Sequence, residues 1–174
     1  PMLNGVVCGL RMRSAGVETP RRQNVSRSNS GVCERRLWQA RIAAKNHRNG
    51  SRNPFAHVQK DLGYDFCRHA SEKNPIIAAP LKRTDCSMIT DGAAALVLAS
   101  DDVSSVARRS VRIRASNLVG DRLPLVDRDV LAFDGPRVAW QRTLHDAGLA
   151  LTDLDFVETH DCFTIAELLE YEAM

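Results

Sequence analysis

Aromatic side chains are scarce. Phe, Trp and Tyr make up 5% of the 174 residues, so aliphatic and alanine packing has to build most of any core. Long apolar runs are missing too. The longest is Ala93 to Ala99, far short of the roughly 18 residues that a membrane-spanning helix needs. The cysteines, Cys8, Cys33, Cys67, Cys86 and Cys162, are odd in number and form no C-x-x-C pair. That argues against a disulfide scaffold and a zinc ribbon and fits a reducing, cytoplasmic setting with no metal site. Acids are nearly absent from the start of the chain: residues 1–52 carry 11 Lys+Arg against 2 Asp+Glu, a balance of +9, while the remainder carries −6. A basic arm on an acidic body suits an anion-binding tail. The arm has no interleaved aromatics and no nucleic-acid motif, so a solvated end is the simpler reading. Finally, no internal repeat is visible.

What is present suffices for a folded domain, with 44% hydrophobic and 26% charged residues. Residues 1–34 show no sustained periodicity and are expected to be disordered. Their Arg- and Ser-rich, acid-poor composition superficially mimics a transit peptide. The start at Pro1 is expected of a piece of a longer chain, as is the helical pattern still running at Met174.

Order is expected from Arg35, with Leu37, Trp38, Arg41, Ile42 and Ala44 on an amphipathic helix stopped by Asn49-Gly50. Phe55 to Lys60 is read as helical and residues 73–80 as irregular. Asp91-Gly92 leads into Ala93 to Ala99, an apolar run predicted to be a strand buried on both faces. Asp101 is predicted to cap a helix reaching Arg109 with Val103 turned inward. Val111, Ile113 and Ala115 alternate with polar residues as a half-buried strand. Pro136 opens a helix striped by Trp140, Leu144 and Ala147 and closed by Gly148. Phe156 to Thr159 is a short strand, followed by a helix from Thr164 with Ile165, Leu168 and Leu169 on one face. Strands alternating with helices predict an α/β fold.

His160-Asp161-Cys162-Phe163 falls between that last strand and helix, where α/β sheets bind ligands. A histidine there can donate to a developing oxyanion. A Cys162 nucleophile with His160 as base is geometrically poor, since residues two apart on a helix do not face each other. From the pattern alone, capping of the helix by His160 and Asp161 is the commoner reading. Thr84-Asp85-Cys86-Ser87 suits an anionic or amide-bearing ligand, although an ordinary Asx or Ser/Thr turn is commoner. Lys45, His47, Arg48 and Arg52 could attract a phosphate or simply face solvent. Cys67 and His69 lack metal spacing and read as structural.

Taken together, the segments 40–50 (Ala-Arg-Ile-Ala-Ala-Lys-Asn-His-Arg-Asn-Gly), Asn53-Pro-Phe-Ala56, Ser71-Glu-Lys-Asn-Pro75, Thr84-Asp-Cys-Ser87, Asp91-Gly-Ala-Ala-Ala95 and His160-Asp-Cys-Phe-Thr-Ile-Ala-Glu-Leu168 resemble the thiolase superfamily. The similarity is to the branch related to sterol-carrier-protein thiolases and acetyl-CoA acetyltransferase-like proteins, which carries His-Asp-Cys-Phe where other thiolases carry Asn-Glu-Ala-Phe. The resemblance covers about residues 39–174 and implies a five-layer αβαβα thiolase-like fold, of which a central portion is present. Residues 39–83 would be a loop-domain remnant, 84–110 the last strand and helix of the N-terminal half, and 111–174 the start of the C-terminal half. Residues 1–38 depart from the pattern as an atypical basic segment, read as a frameshift, misjoined exon or assembly error in preference to a divergent extension.

The resemblance implies an acyltransferase acting on acyl-CoA or 3-ketoacyl-CoA thioesters. Coenzyme A would be substrate, with no resident cofactor, in a homodimer or homotetramer. It makes His160 the oxyanion-hole residue, Phe163 a pocket-lining residue and Ser87 a contact for the pantetheine arm. None of the five cysteines matches a catalytic position of that family, so this chain alone is expected to be inactive. The alternatives are a retro-aldolase or other carbon–carbon lyase on the same scaffold, and a non-catalytic interaction module with a basic tail.

Overall fold

The computed structural model describes residues 29–104, 110–121, 126 and 128–174. The disorder expected for residues 1–28 lies outside this range. Residues 29–34, expected to be irregular, are the opening turns of helix α1, Asn29–Gly50. Strong helix formers dominate its middle (Leu37, Gln39, Ala40, Ala43, Ala44, Lys45), and Ala40, Ile42 and Ala43 are buried. The helix stops at Gly50 as the Asn49-Gly50 signal predicts. Beyond it, Asn53 Oδ1 captures the Phe55 N–H at 2.9 Å. That Asx turn before and around Pro54 competes with a helix, so residues 55–60 are irregular and not helical.

A short helix α2, Tyr64–Arg68, buries Cys67 and packs on α1. Buried Asn74 ties this corner together. Its Nδ2 donates to the carbonyls of Phe66 (3.0 Å) and His69 (3.1 Å), and its Oδ1 accepts from the Thr84 N–H (3.0 Å). Strands β1, Ile76–Ala78, and β2, Leu81–Lys82, form an antiparallel hairpin within the stretch 73–80 and just beyond it, where the sequence predicts irregular structure.

The three predicted strands at 93–99, 111–115 and 156–159 carry no strand pairing in the described residues. Leu96, Val97 and Leu98 are 78%, 94% and 73% exposed. A strand buried on both faces acquires its hydrogen bonds only from neighbouring strands, and no described segment supplies that ladder. Helix α3 covers Asp101–Ser104, with Asp101 as its first helical residue; Val103 is exposed, not inward. The expected continuation over 105–109 lies outside the described residues.

Helix α4, Asp134–Ala147, follows its prediction: Pro136 sits in the first turn, Trp140 and Ala147 are buried, and Leu144 is half-buried. Gly148 closes it in the left-handed conformation at φ 65°. Its N–H donates to the His145 carbonyl, and the Leu149 N–H reaches back to Leu144 at 3.0 Å, the Schellman pattern. Helix α5, Thr164–Ala173, buries Leu168, Leu169 and Ala173. The core is therefore a helical cluster in which α5 packs against both α1 and α4. Among the described residues, no helix is long and apolar enough to cross a membrane.

Candidate functional site

The fold joins the two motifs that the sequence places some 75 residues apart. The Ser87 N–H donates to the Cys162 carbonyl at 2.9 Å, and Cys86 forms an isolated antiparallel bridge with Phe163. Asp85, 1% exposed, is the bolt behind this junction. Its Oδ2 accepts from the Lys82 N–H (2.8 Å) and Nζ (2.6 Å), and its Oδ1 accepts from Thr164 Oγ1 (3.2 Å). A buried carboxylate with this many partners is anchored, not available to a ligand. Burial of the sulfurs themselves, and after it the Asp85 charge, pushes the Cys67 and Cys86 thiols up. Both are thus poor nucleophiles.

The capping alternative for His160 and Asp161 does not hold. The N-cap of α5 is Phe163, and no side chain caps it. Asp161 instead accepts from Asn46 Nδ2 of α1 at 2.8 Å. The His160 backbone N–H donates to Glu170 Oε2 at 3.0 Å, which fixes the chain at His160 while the residue itself stays exposed. Phe163 is 41% exposed and Ser87 is exposed.

Beneath Asp161 lies a network that the sequence reading missed. Glu167, 1% exposed, accepts from Lys45 Nζ (2.5 Å), Asn46 Nδ2 (2.8 Å) and the Tyr171 hydroxyl. The available signal was an acid inside the apolar stripe of α5, between Thr164 and Leu168. Burial, with the hydrogen bond to Glu167 and its charge, pushes the Tyr171 phenol up. Burial likewise lifts the Glu170 carboxyl above the ordinary range, against the pull of the His160 N–H.

A cavity of about 250 Å³ opens at the junction, lined by Asn46, His47, Ser87, Met88, Asp161 and Thr164 among others. Ser87 reaches it; His160 and Phe163 stand beside it and not in its lining. The imidazole of His47 is pulled below its ordinary value by burial, partly countered by the Asp61 charge, so a neutral ring faces the cavity at neutral pH. The cavity thus offers a neutral imidazole, an amide and a hydroxyl beside the carboxylates of Asp85 and Asp161, a lining whose acceptors suit an amide-bearing ligand. Among the described residues, no cluster of three His, Cys, Asp or Glu is arranged to hold a metal ion.

No family model matches the chain. Curated proteins do. Over 142 residues the chain is 32% identical to sterol carrier protein 2 of Oryctolagus cuniculus, covering 78% of this chain and 25% of that protein. It is 33% identical over 135 residues to the acetyl-CoA acetyltransferase of Methanothermobacter thermautotrophicus, covering 76% and 34%. It is 28% identical over 137 residues to the benzoylsuccinyl-CoA thiolase subunit BbsB of Thauera aromatica, covering 78% and 34%. The chain therefore spans about a quarter to a third of the length of these relatives. Their names agree with the resemblance read from the motifs, and they imply an α/β thiolase fold.

Proposed function

The chain belongs to the thiolase superfamily as a partial match, and from that premise we propose that it contributes the acyl-CoA-binding face of a thiolase-like acyltransferase. The observation that carries this reading is the 2.9 Å bond from the Ser87 N–H to the Cys162 carbonyl. It sets the Thr84–Ser87 segment and the His160-Asp161-Cys162-Phe163 motif at the edge of one cavity.

In this reading Ser87 meets the pantetheine arm of coenzyme A, and Phe163 lines the path of the acyl group. His160, its backbone held by Glu170, donates from its ring to the thioester or enolate oxygen as charge develops. Coenzyme A enters as a substrate, and the site calls for no resident cofactor. The nucleophile is supplied from outside these 174 residues. The raised thiols of Cys67 and Cys86 support that division. The five-layer arrangement belongs to the same reading, with 39–83 as loop-domain remnant, 84–110 closing the first half and 111–174 opening the second. So does assembly as a homodimer or homotetramer in the cytoplasm, where the free thiols of Cys67, Cys86 and Cys162 would persist.

The test is single-turnover acyl transfer in a homologous enzyme that carries the same motif together with its nucleophile. Substituting the residue equivalent to His160 by Ala should slow acyl-enzyme formation about 10²–10³-fold. The Ser equivalent of Cys162 should leave the covalent intermediate in place. Loss of the intermediate in the Cys162 variant, with the His160 variant unaffected, would overturn these roles.

A further inference from the structure

On the other side of α1 from the Ser87 cavity lies an open pocket of about 950 Å³, and we propose that it binds a small phosphate-bearing polyanion. The helix geometry explains the separation. Arg41 and Arg48, two turns apart, share one stripe of α1 with Leu37 and Ala44, whereas Ala43, Asn46, His47 and Gly50 face the Ser87 cavity. Arg52, in the turn after α1, and Arg68, at the end of α2, complete the wall.

The charge balance is one-sided. Lys45 also borders the pocket, but its ammonium is spent on Glu167 at 2.5 Å. Among the described residues, Arg41, Arg48, Arg52 and Arg68 have no carboxylate at ion-pair distance. The pocket's one acid is Asp61. Four guanidiniums against one carboxylate leave a net +3. Asp61 is itself turned toward the backbone, accepting the Gly63 N–H at 3.0 Å.

Two of the four arginines are stacked on rings. The Arg41 guanidinium lies 4.7 Å from the Trp38 ring centre and that of Arg68 6.0 Å from Tyr64. Stacking restricts a planar fork before any ligand arrives, so less freedom is lost when it grips an oxyanion. Guanidiniums pair bidentately with phosphate oxygens. The concave shape, closed by Tyr64 and Arg68, suits a small anion better than a continuous nucleic-acid strand, which calls for a ridge or groove with bases stacked on it. Of the Lys45, His47, Arg48 and Arg52 cluster visible in the sequence, Arg48 and Arg52 thereby gain a role, while Lys45 is paired with Glu167 and His47 faces the Ser87 cavity.

The experiment is calorimetric titration of the full chain with ADP at fixed ionic strength. Saturable one-site binding is expected, weakened at least about tenfold in Arg48→Ala/Arg52→Ala, a loss of about 1.4 kcal/mol. Lys73→Ala, which removes an exposed cation outside the pocket, should bind as the parent does. Arg48→Lys/Arg52→Lys, which keeps charge and helix, should lie between, because a point charge replaces a bidentate fork. Ser87→Ala should bind ADP unchanged, so this inference and the thioester reading fail separately. Coenzyme A added with ADP separates the two sites: simultaneous binding supports a distinct phosphate-ester pocket, and mutual displacement overturns it, because the pocket would then belong to the thioester ligand of the Ser87 cavity. No saturable binding of ADP, or an equal loss in Lys73→Ala, overturns the proposal.

Discussion

At Glu170, burial works against the ionised carboxylate, and the cause is desolvation first, with the charges of Glu167 and Asp161 adding to it. A carboxyl whose pKa is raised on folding stabilises the fold while protonated and loses that contribution as pH rises through its raised value. Glu170→Gln keeps an acceptor for the His160 N–H and removes the charge. Its melting temperature should exceed the parent's at pH 7–8, and the two should converge near pH 4, where both side chains are neutral. Parallel melting curves across that range would contradict the account.

His47 runs the other way. Its lowered pKa means that the unfolded chain binds the proton more readily, so stability falls as pH drops below about 6.5. His47→Gln should flatten the loss between pH 7 and pH 5, measured by denaturant midpoint. Neither residue's environment was legible in the sequence. His47 read as part of a cation cluster, and no pattern singled out Glu170. Burial is a property of what packs above a residue, and α1 and α5, which carry these two residues, pack on each other across more than 100 positions of sequence. His160 and Ser87 were legible only through the family resemblance, because spacing alone favoured caps and turns.

Among the elements, α1, α4 and α5 were legible because their signals are local. Pro136 and Gly148 bracket α4, Gly50 ends α1, and Ile165, Leu168 and Leu169 recur at i, i+3 and i+4 along α5. Gly148 provides a clean test. It sits at φ 65° with nothing within 4 Å of an added Cβ, so Gly148→Ala adds backbone strain without a clash and should destabilise by about 1 kcal/mol in urea unfolding.

Glu167→Ala should do more. It leaves the Tyr171 hydroxyl and the Lys45 ammonium without their acceptor, holds Asn46 by Asp161 alone and unpins α5 from α1, at about 2 kcal/mol. Tyr171→Phe should cost less than half of that, since it removes only one donor. An Ala variant as stable as the parent would show that the network contributes nothing. The strands were misread for the converse reason: an apolar run such as 93–99 reports that it wants burial, not where its ladder partner is.

The whole molecule carries a helical core beside a long apolar surface. Leu96, Val97, Leu98, Val111, Ile113 and Leu118 are all more than half exposed. Exposed apolar backbone without a ladder promotes association. Amides at 91–100 should exchange within seconds while those at 39–46 are protected, and the chain should self-associate with rising concentration in sedimentation. Slow exchange across 91–100 in a monodisperse sample would place a ladder there that the described structure does not contain.

The measurement that bears most directly on the central reading is a titration of the chain with acetyl-CoA, followed residue by residue through backbone amide chemical shifts. The account predicts saturable shifts centred on residues 46–47, 84–88 and 160–164, lost or weakened about tenfold in Ser87→Leu, which fills the cavity edge. Absence of saturable binding, or shifts that spare 84–88 and 160–164, would contradict it.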